Sequence, residues 1–215
     1  MKPKTVLRVV GGRPARTDQS TTDAELISGV RALEPGTARR MYRRLLPVVD
    51  RTLLRVFGVR EQDHDDLVQI SFEQIFESII KGRFLGNCAL TTWASTIAAR
   101  VGLAELRKRY VRRSVYAESS NSEAETLRAS HRRQHALDEI DVVRRALASL
   151  PEDRAWLLFL HDVEGHELKD IATQVGATVS ATQSRVLRAR RRFLERFEQL
   201  DAEAREISRA AEEEP

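Results

Sequence analysis

The stretch Leu168-Lys169-Asp170-Ile171-Ala172-Thr173-Gln174-Val175-Gly176-Ala177-Thr178-Val179-Ser180-Ala181-Thr182-Gln183-Ser184-Arg185-Val186 reads as two helices joined at a glycine. Ile171 and Ala172 lie on the first, where a small residue lets the second cross closely. Gly176 follows four residues after Ala172, where a tight turn needs a positive φ that glycine takes without strain. Val179, Thr182, Val186, Ala189 and Phe193 give the second helix an inward stripe. Ser180, Ser184, Leu187, Arg188 and Arg191 project on the opposite side, with Gln183 on its flank and Arg185 near the buried edge. In a helix-turn-helix of this kind the first residues of the second helix reach base edges and later arginines neutralise phosphates. A bidentate Arg or Gln contact to a base discriminates by about 1–3 kcal/mol. Two amphipathic helices meeting at a glycine are also common in all-α proteins, so the rest of the chain must support the reading.

Outward from that motif the pattern stays helical. Helices are expected at 136–149, ended by Leu150-Pro151, at 152–163, ended at Gly165, at 167–175, and from Ser180 onward. Beyond Asp201 the sequence is polar and acidic, and 201–215 reads as a fraying tail. Upstream, periodicity is lost from about 111; Ser119-Ser120-Asn121-Ser122 and nearby charges suggest a flexible linker over 113–133. The first domain, 21–112, opens with a helix at Thr22-Asp23, where Glu25 sits to complete a capping box. A second helix covers 37–57 with Met41, Leu45, Val48, Val49, Leu53 and Val56 apolar, and Pro47 is expected to bend or split it. A third, 63–81, buries Val68, Phe72, Ile75, Phe76 and Ile79, while Asp66, Gln69 and Glu73 share another face. A loop, 82–90, leads to a fourth helix, 91–109, with Trp93, Ile97, Val101 and Ala104 inward. Residues 1–20 read as a mobile leader. The expected architecture is all-α: two small helical domains on a flexible linker, the second (134–200) carrying the helix-turn-helix and a long C-terminal helix.

Composition narrows the function. The chain of 215 residues carries a net charge of only +4, yet its basic residues cluster at Arg107-Lys108-Arg109, Arg112-Arg113, Arg132-Arg133 and between Arg185 and Arg196. Local basic stripes on a mildly charged chain suit a polyanion binder. A single cysteine, Cys88, excludes an intramolecular disulfide and a cysteine-based metal site. No apolar run approaches the ~20 residues of a membrane span. Val6-Leu7-Arg8-Val9-Val10 is too short and too charged for a signal peptide, so a cytoplasmic protein without membrane insertion is expected. The acid pair Asp65-Asp66 lacks a nucleophile, a glycine cradle or a converging partner, which argues against an enzyme.

Two separated sets of motifs resemble the bacterial sigma factors of the extracytoplasmic-function type. Ala146-Leu147-Ala148-Ser149-Leu150-Pro151-Glu152, Asp162-Val163-Glu164-Gly165, Asp170-Ile171-Ala172, Ser184-Arg185 and Arg188-Ala189-Arg190 resemble the family's fourth region, which reads the minus-thirty-five promoter element. Asp65-Asp66-Leu67-Val68-Gln69 resembles the DLVQ signature of its second region, and Tyr42-Arg43-Arg44-Leu45-Leu46-Pro47 the start of that region. Phe84-Leu85-Gly86-Asn87-Cys88-Ala89-Leu90-Thr91-Thr92-Trp93 is similar to the loop and tryptophan helix that follow. The resemblance covers residues 24–197, in order.

It implies a role for each part. Asp65, Asp66, Leu67, Gln69 and Glu73 are expected to dock on the clamp of the largest subunit of RNA polymerase core, with the polymerase flap as a further contact. Gly86, Asn87, Cys88 and Ala89 are expected to hold unstacked bases of the minus-ten element, with Arg100, Arg107 and Lys108 beside the phosphates. Ser180, Gln183, Ser184, Arg185, Arg188 and Arg191 are expected on the minus-thirty-five duplex. The implied function is promoter-specific initiation for a stress- or signal-responsive gene set, with promoter DNA and an anti-sigma factor as partners and no cofactor. Departures from the family pattern occur at Ile70, where an acid is usual, at Ala104, where an Asp is usual, and at Ser180-Ala181-Thr182-Gln183. Arg100 falls near the helical angle of Trp93 and must snorkel or meet an anion. These departures motivate a second reading, an adaptor that binds polymerase or a regulatory partner without opening promoters. A third, a stand-alone helix-turn-helix regulator, leaves the DLVQ helix unexplained. Cys88 reads as an ordinary small residue, Trp93 and Trp156 as core, and His161 and His166 as capping or packing groups. His131, His135 and Asp138, spaced for a metal, read as solvated.

Overall fold

The computed structural model of the protein describes residues 22–118 and 139–212. Every regular element among them is helical, in the order α1 (Asp23–Arg31), α2 (Thr37–Phe57), α3 (His64–Ile80), α4 (Leu90–Glu118), α5 (Glu139–Ser149), α6 (Glu152–Leu158), a π-type turn (Phe159–Val163), α7 (Leu168–Val175) and α8 (Val179–Glu212).

The capping box at Thr22 forms as its sequence dictates: Glu25 N–H donates to Thr22 Oγ1 at 3.2 Å, and Thr22 N–H donates to Glu25 Oε2 at 2.7 Å. α2 is the axis of the first lobe. Met41, Leu45, Val49, Leu53 and Val56 recur along one face and are buried against α1, α3 and α4. Pro47 neither splits nor ends this helix, which runs unbroken to Gly58. Its missing N–H falls between Leu45 and Val49, whose burial holds the turn in place. Gly102 on α4 lets the backbone close on α2, since a Cβ there would lie 3.2 Å from Leu53 and Val56. α3 buries a wide arc, His64, Leu67, Val68, Ser71, Phe72, Ile75 and Ile79, because α1, α2 and α4 all cover it.

In the second lobe α5, α6, α7 and α8 wrap around Trp156, Phe159, Leu160 and Ile171. Six consecutive residues, Ala155 to Leu160, are buried, a pattern no single-faced helix gives. The cause is that α6 lies between α8 on one side and α4 of the first lobe on the other. The apolar core therefore runs continuously from one lobe into the other. The expected linker begins later than its composition suggests, because α4 continues as helix through residue 118. The expected tail is also corrected: α8 reaches residue 212, with Leu200 and Ala204 buried against Val142 and Ala146 of α5. The leader, most of the linker and the His131, His135 and Asp138 group lie outside the described residues. No helix among those described is long and apolar enough to cross a membrane.

Candidate nucleic-acid interface

The second helix of the helix-turn-helix is the first half of α8. Gly176 takes φ +62° at the turn, and Ala177 N–H closes back to the Ala172 carbonyl at 3.0 Å. Thr178, which the pattern alone did not single out, starts α8 by accepting from Ala181 N–H at 3.1 Å. Thr182, Val186 and Ala189 face inward as expected. Val179 does not: it is exposed beside the turn. Ser180, Gln183, Ser184, Arg185, Arg188 and Arg191 are all exposed. Arg185 is exposed rather than at the buried edge where its angle alone placed it. Among the described residues Arg185, Arg188 and Arg191 make no ion pair, whereas Arg190 is held by Asp162 at 2.6 Å and Arg192 by Glu195 at 3.7 Å. Partial burial raises the Asp162 carboxyl, but contacts from Arg190 and His161 outweigh it and hold the group below its ordinary value. That pair ties α8 to the π-type turn and leaves the neighbouring arginines for a ligand.

On the first lobe, Asp66, Gln69 and Glu73 form an exposed ridge along α3, with Gln69 Nε2 donating to Glu73 Oε1 at 3.1 Å. Asp65 stands at its end, paired with Arg60 at 2.9 Å. Leu67 is corrected: it is 4% exposed and belongs to the core, so it cannot touch a partner. Ile70, 41% exposed, lies on the ridge instead.

The loop between α3 and α4 is anchored by Phe84, whose ring packs on Trp93 at 4.8 Å. Gly86, Asn87 and Ala89 are exposed and Cys88 is half-buried. Burial, with Asp170 nearby, pushes the Cys88 thiol up, and a hydrogen bond from Gln174 only partly offsets this. Cys88 is thus a protonated thiol covered by α7, less open to a base than its loop neighbours.

The basic groups of α4 divide. Lys108 is exposed, with Glu105 3.7 Å away. Arg107 is turned away from the loop, donating to the Leu150 carbonyl of the second lobe. Arg100 remains exposed and lies over a ring, its guanidinium 4.2 Å from the centre of Trp156, with the Glu152 carboxylate near enough to favour its charge. The second lobe lies on α4. Across that seam Ser95 Oγ is 2.9 Å from His166 Nε2, Thr96 donates to Gln174 at 2.6 Å, Arg55 pairs with Glu164 at 3.1 Å and Tyr110 donates to Asp141 at 2.6 Å. Pattern reasoning placed none of these together, since each pair is 31 or more positions apart and most members are polar residues with no periodic signature.

An arginine-bearing helix behind a tight turn, an acidic ridge on α3 and a loop set on an aromatic anchor, on two helical lobes of one chain, define a two-lobed helix-turn-helix protein. Known proteins sharpen that class. The family model described as Sigma-70 region 2 matches residues 41–112, and that described as Sigma-70, region 4, matches 140–193. The ECF RNA polymerase sigma factor EcfG of Rhodopseudomonas palustris (strain TIE-1) is 35% identical over 126 residues, a match that spans 59% of this chain and 66% of that protein. Among solved structures, the sigma factor RpoE in complex with the anti-sigma factor NepR from Bartonella quintana is similar at 19% identity with TM-score 0.43, over 76% of this chain and 98% of that one. CnrH in complex with the cytosolic domain of CnrY is similar at 20% identity with TM-score 0.46, over 84% and 97%. The chain belongs to the sigma-70 family, as a two-region member of the extracytoplasmic-function type.

Proposed function

We propose that this protein directs RNA polymerase core to specific promoters and initiates transcription there. The ridge of Asp65, Asp66, Gln69 and Glu73 holds the polymerase clamp. The loop residues Gly86, Asn87 and Ala89 receive bases of the melted minus-ten element, with Lys108 at the phosphates, and α8 reads the minus-thirty-five duplex through Ser180, Gln183, Ser184, Arg185, Arg188 and Arg191. The observation that carries the reading is the set of unpaired arginines on the exposed face of α8, directly behind a turn that aims its first residues outward. An anti-sigma factor that covers these faces is the regulatory partner the class implies, and the gene set is stress- or signal-responsive. Reconstituted with core enzyme, the protein is expected to give run-off transcripts from its own promoters. Core binding without any promoter-specific transcript would sink the proposal.

The adaptor reading rests on one observation. The second lobe occupies α4 and engages Arg107, so the chain as folded presents polymerase with the ridge while withholding part of its DNA surface. Footprinting separates the two readings: an adaptor leaves a melted promoter fork unprotected.

A further inference from the structure

The proposed function makes the loop between α3 and α4 the reader of the minus-ten bases, and α1 takes no part in it. Yet α1 grips that loop at both ends. At the entry, Arg31 Nε donates to the Ile79 carbonyl at 3.0 Å and its Nη2 donates to the Phe84 carbonyl at 3.0 Å. At the exit, Asp23 Oδ2 accepts from Leu90 N–H, the first residue of α4, at 3.0 Å, and its Oδ1 lies 2.6 Å from Arg44 Nη2 on α2. One guanidinium thus spans the last turn of α3 and the first residue of the loop proper. One carboxylate caps α4 from 67 positions upstream.

Two side chains fix other points of this segment, Phe84 on Trp93 and Cys88 under Gln174, but its backbone has few bonds of its own. Gly82 and Arg83 N–H groups bond back to α3, and Trp93 N–H bonds to the Ala89 carbonyl. Among the described residues no backbone–backbone bond holds residues 85–88. The loop stands off α1 across an open cleft of about 570 Å³, lined by Ile27, Ser28, Arg31, Phe84, Leu85 and Gly86. Leu85 is 76% exposed at its rim. Beyond the buried Phe84, packing does not seat the loop on α1, and Arg31 crosses the gap at that end. A loop that selects bases must be held within a fraction of an ångström, by groups whose own geometry is fixed. Arg31 has that property, since its planar fork places two donors at a set spacing.

We infer that Arg31 and Asp23 are positioning residues for minus-ten recognition, bracing the two ends of the base-reading loop from a helix that touches no DNA. The inference rests on the proposed promoter function. Lysine at position 31 carries its three N–H donors on one nitrogen and lacks the planar fork that places two donors at a set spacing, so charge alone does not replace it.

The test uses the full chain with core polymerase and two promoters that differ at a single minus-ten base. Wild type, Arg31→Ala, Arg31→Lys, Asp23→Asn and, as a control on the other lobe, Arg188→Ala are compared. Both Arg31 variants and Asp23→Asn are expected to lower the ratio of transcript between the two promoters by about tenfold, as the loss of a charge-assisted hydrogen bond predicts. Arg188→Ala is expected to lower both promoters together and leave the ratio unchanged. In the free chain, amide hydrogen exchange over residues 84–90 is expected to quicken in the same three variants and not in Arg188→Ala, with melting temperatures recorded to confirm folding. A ratio and a loop exchange rate that both stay at the wild-type value would overturn the brace, as would an equal loss on the two promoters. If wild type gives no promoter-specific transcript, the promoter function itself falls, and the exchange measurement alone then decides whether α1 holds the loop.

Discussion

Among the described residues Arg188 makes no ion pair on the exposed face of α8, one turn beyond Ser184, while Arg190, two residues on, is held by Asp162. A free guanidinium beside DNA displaces a counterion; a paired one does not. Arg188→Ala should therefore weaken promoter binding at every sequence and reduce the salt slope by about one, read as anisotropy across a salt series. Arg190→Ala should leave the slope unchanged and lower the melting temperature slightly, because a half-exposed pair contributes at most about 1 kcal/mol. A different residue effect sits at Leu33, which holds φ +55° while 78% exposed. Left-handed backbone costs a leucine about 1–2 kcal/mol, and no packing rewards it here. Leu33→Gly should raise stability by about 0.5–1 kcal/mol in urea unfolding, after glycine's extra chain entropy is offset. Exposure that follows from a residue's own helix face was legible in the sequence, as for Asp66, Gln69, Glu73, Arg188 and Arg191. Leu67, Arg100 and Arg107 were not. Helical angle says which way a side chain points, but not which neighbouring element waits there.

Elements show the same division. Helices α2, α3 and α7 could be placed from apolar periodicity and from the glycine stops at Gly58 and Gly176; α2 and α7 bury a single stripe, and the wider arc of α3 still keeps the helical period. α6 shows no single stripe, since from Ala155 on it is buried all round between α4 and α8, and its expected span of 152–163 came from the Pro151 and Gly165 boundaries instead. The second half of α8 was obscured for the opposite reason: from Asp201 onward, charge hides one apolar contact pair, Leu200 and Ala204, spaced to meet Val142 and Ala146 of α5. That contact makes the end of α8 a clamp on the second lobe rather than a tail. Leu200 is 1% exposed, and truncating a buried leucine leaves a cavity as well as lost transfer energy. Leu200→Ala should cost about 2–4 kcal/mol in denaturant unfolding. Truncating the chain after Phe197 should cost at least as much, whereas a frayed tail would be lost without effect.

Over the whole molecule, the packing of the second lobe on α4 sets a geometric limit. The two promoter elements named above lie about 25 base pairs apart, or about 85 Å along the duplex. A compact body of this length has a radius of gyration near ~17 Å, so the chain as folded cannot touch both. Separation must therefore break the seam, and His166 sits in it, 2.9 Å from Ser95. Burial holds the His166 imidazole below its ordinary value of 6.5; Arg55 lowers it further, while Glu164 and Asp170 pull the other way without prevailing. Parted lobes free that ring to bind a proton at its ordinary pKa. Just below pH 6.5 the parted state therefore binds more protons than the packed one. The seam is at full strength above that value and weakens as pH falls through the lower pKa of the packed state. Small-angle scattering should show the radius of gyration growing between about pH 7.5 and about pH 5.5 in wild type. In His166→Gln, which stays neutral, it should change far less over the same interval. Equal expansion of the two proteins would assign the effect to other groups and remove His166 from the seam's energetics.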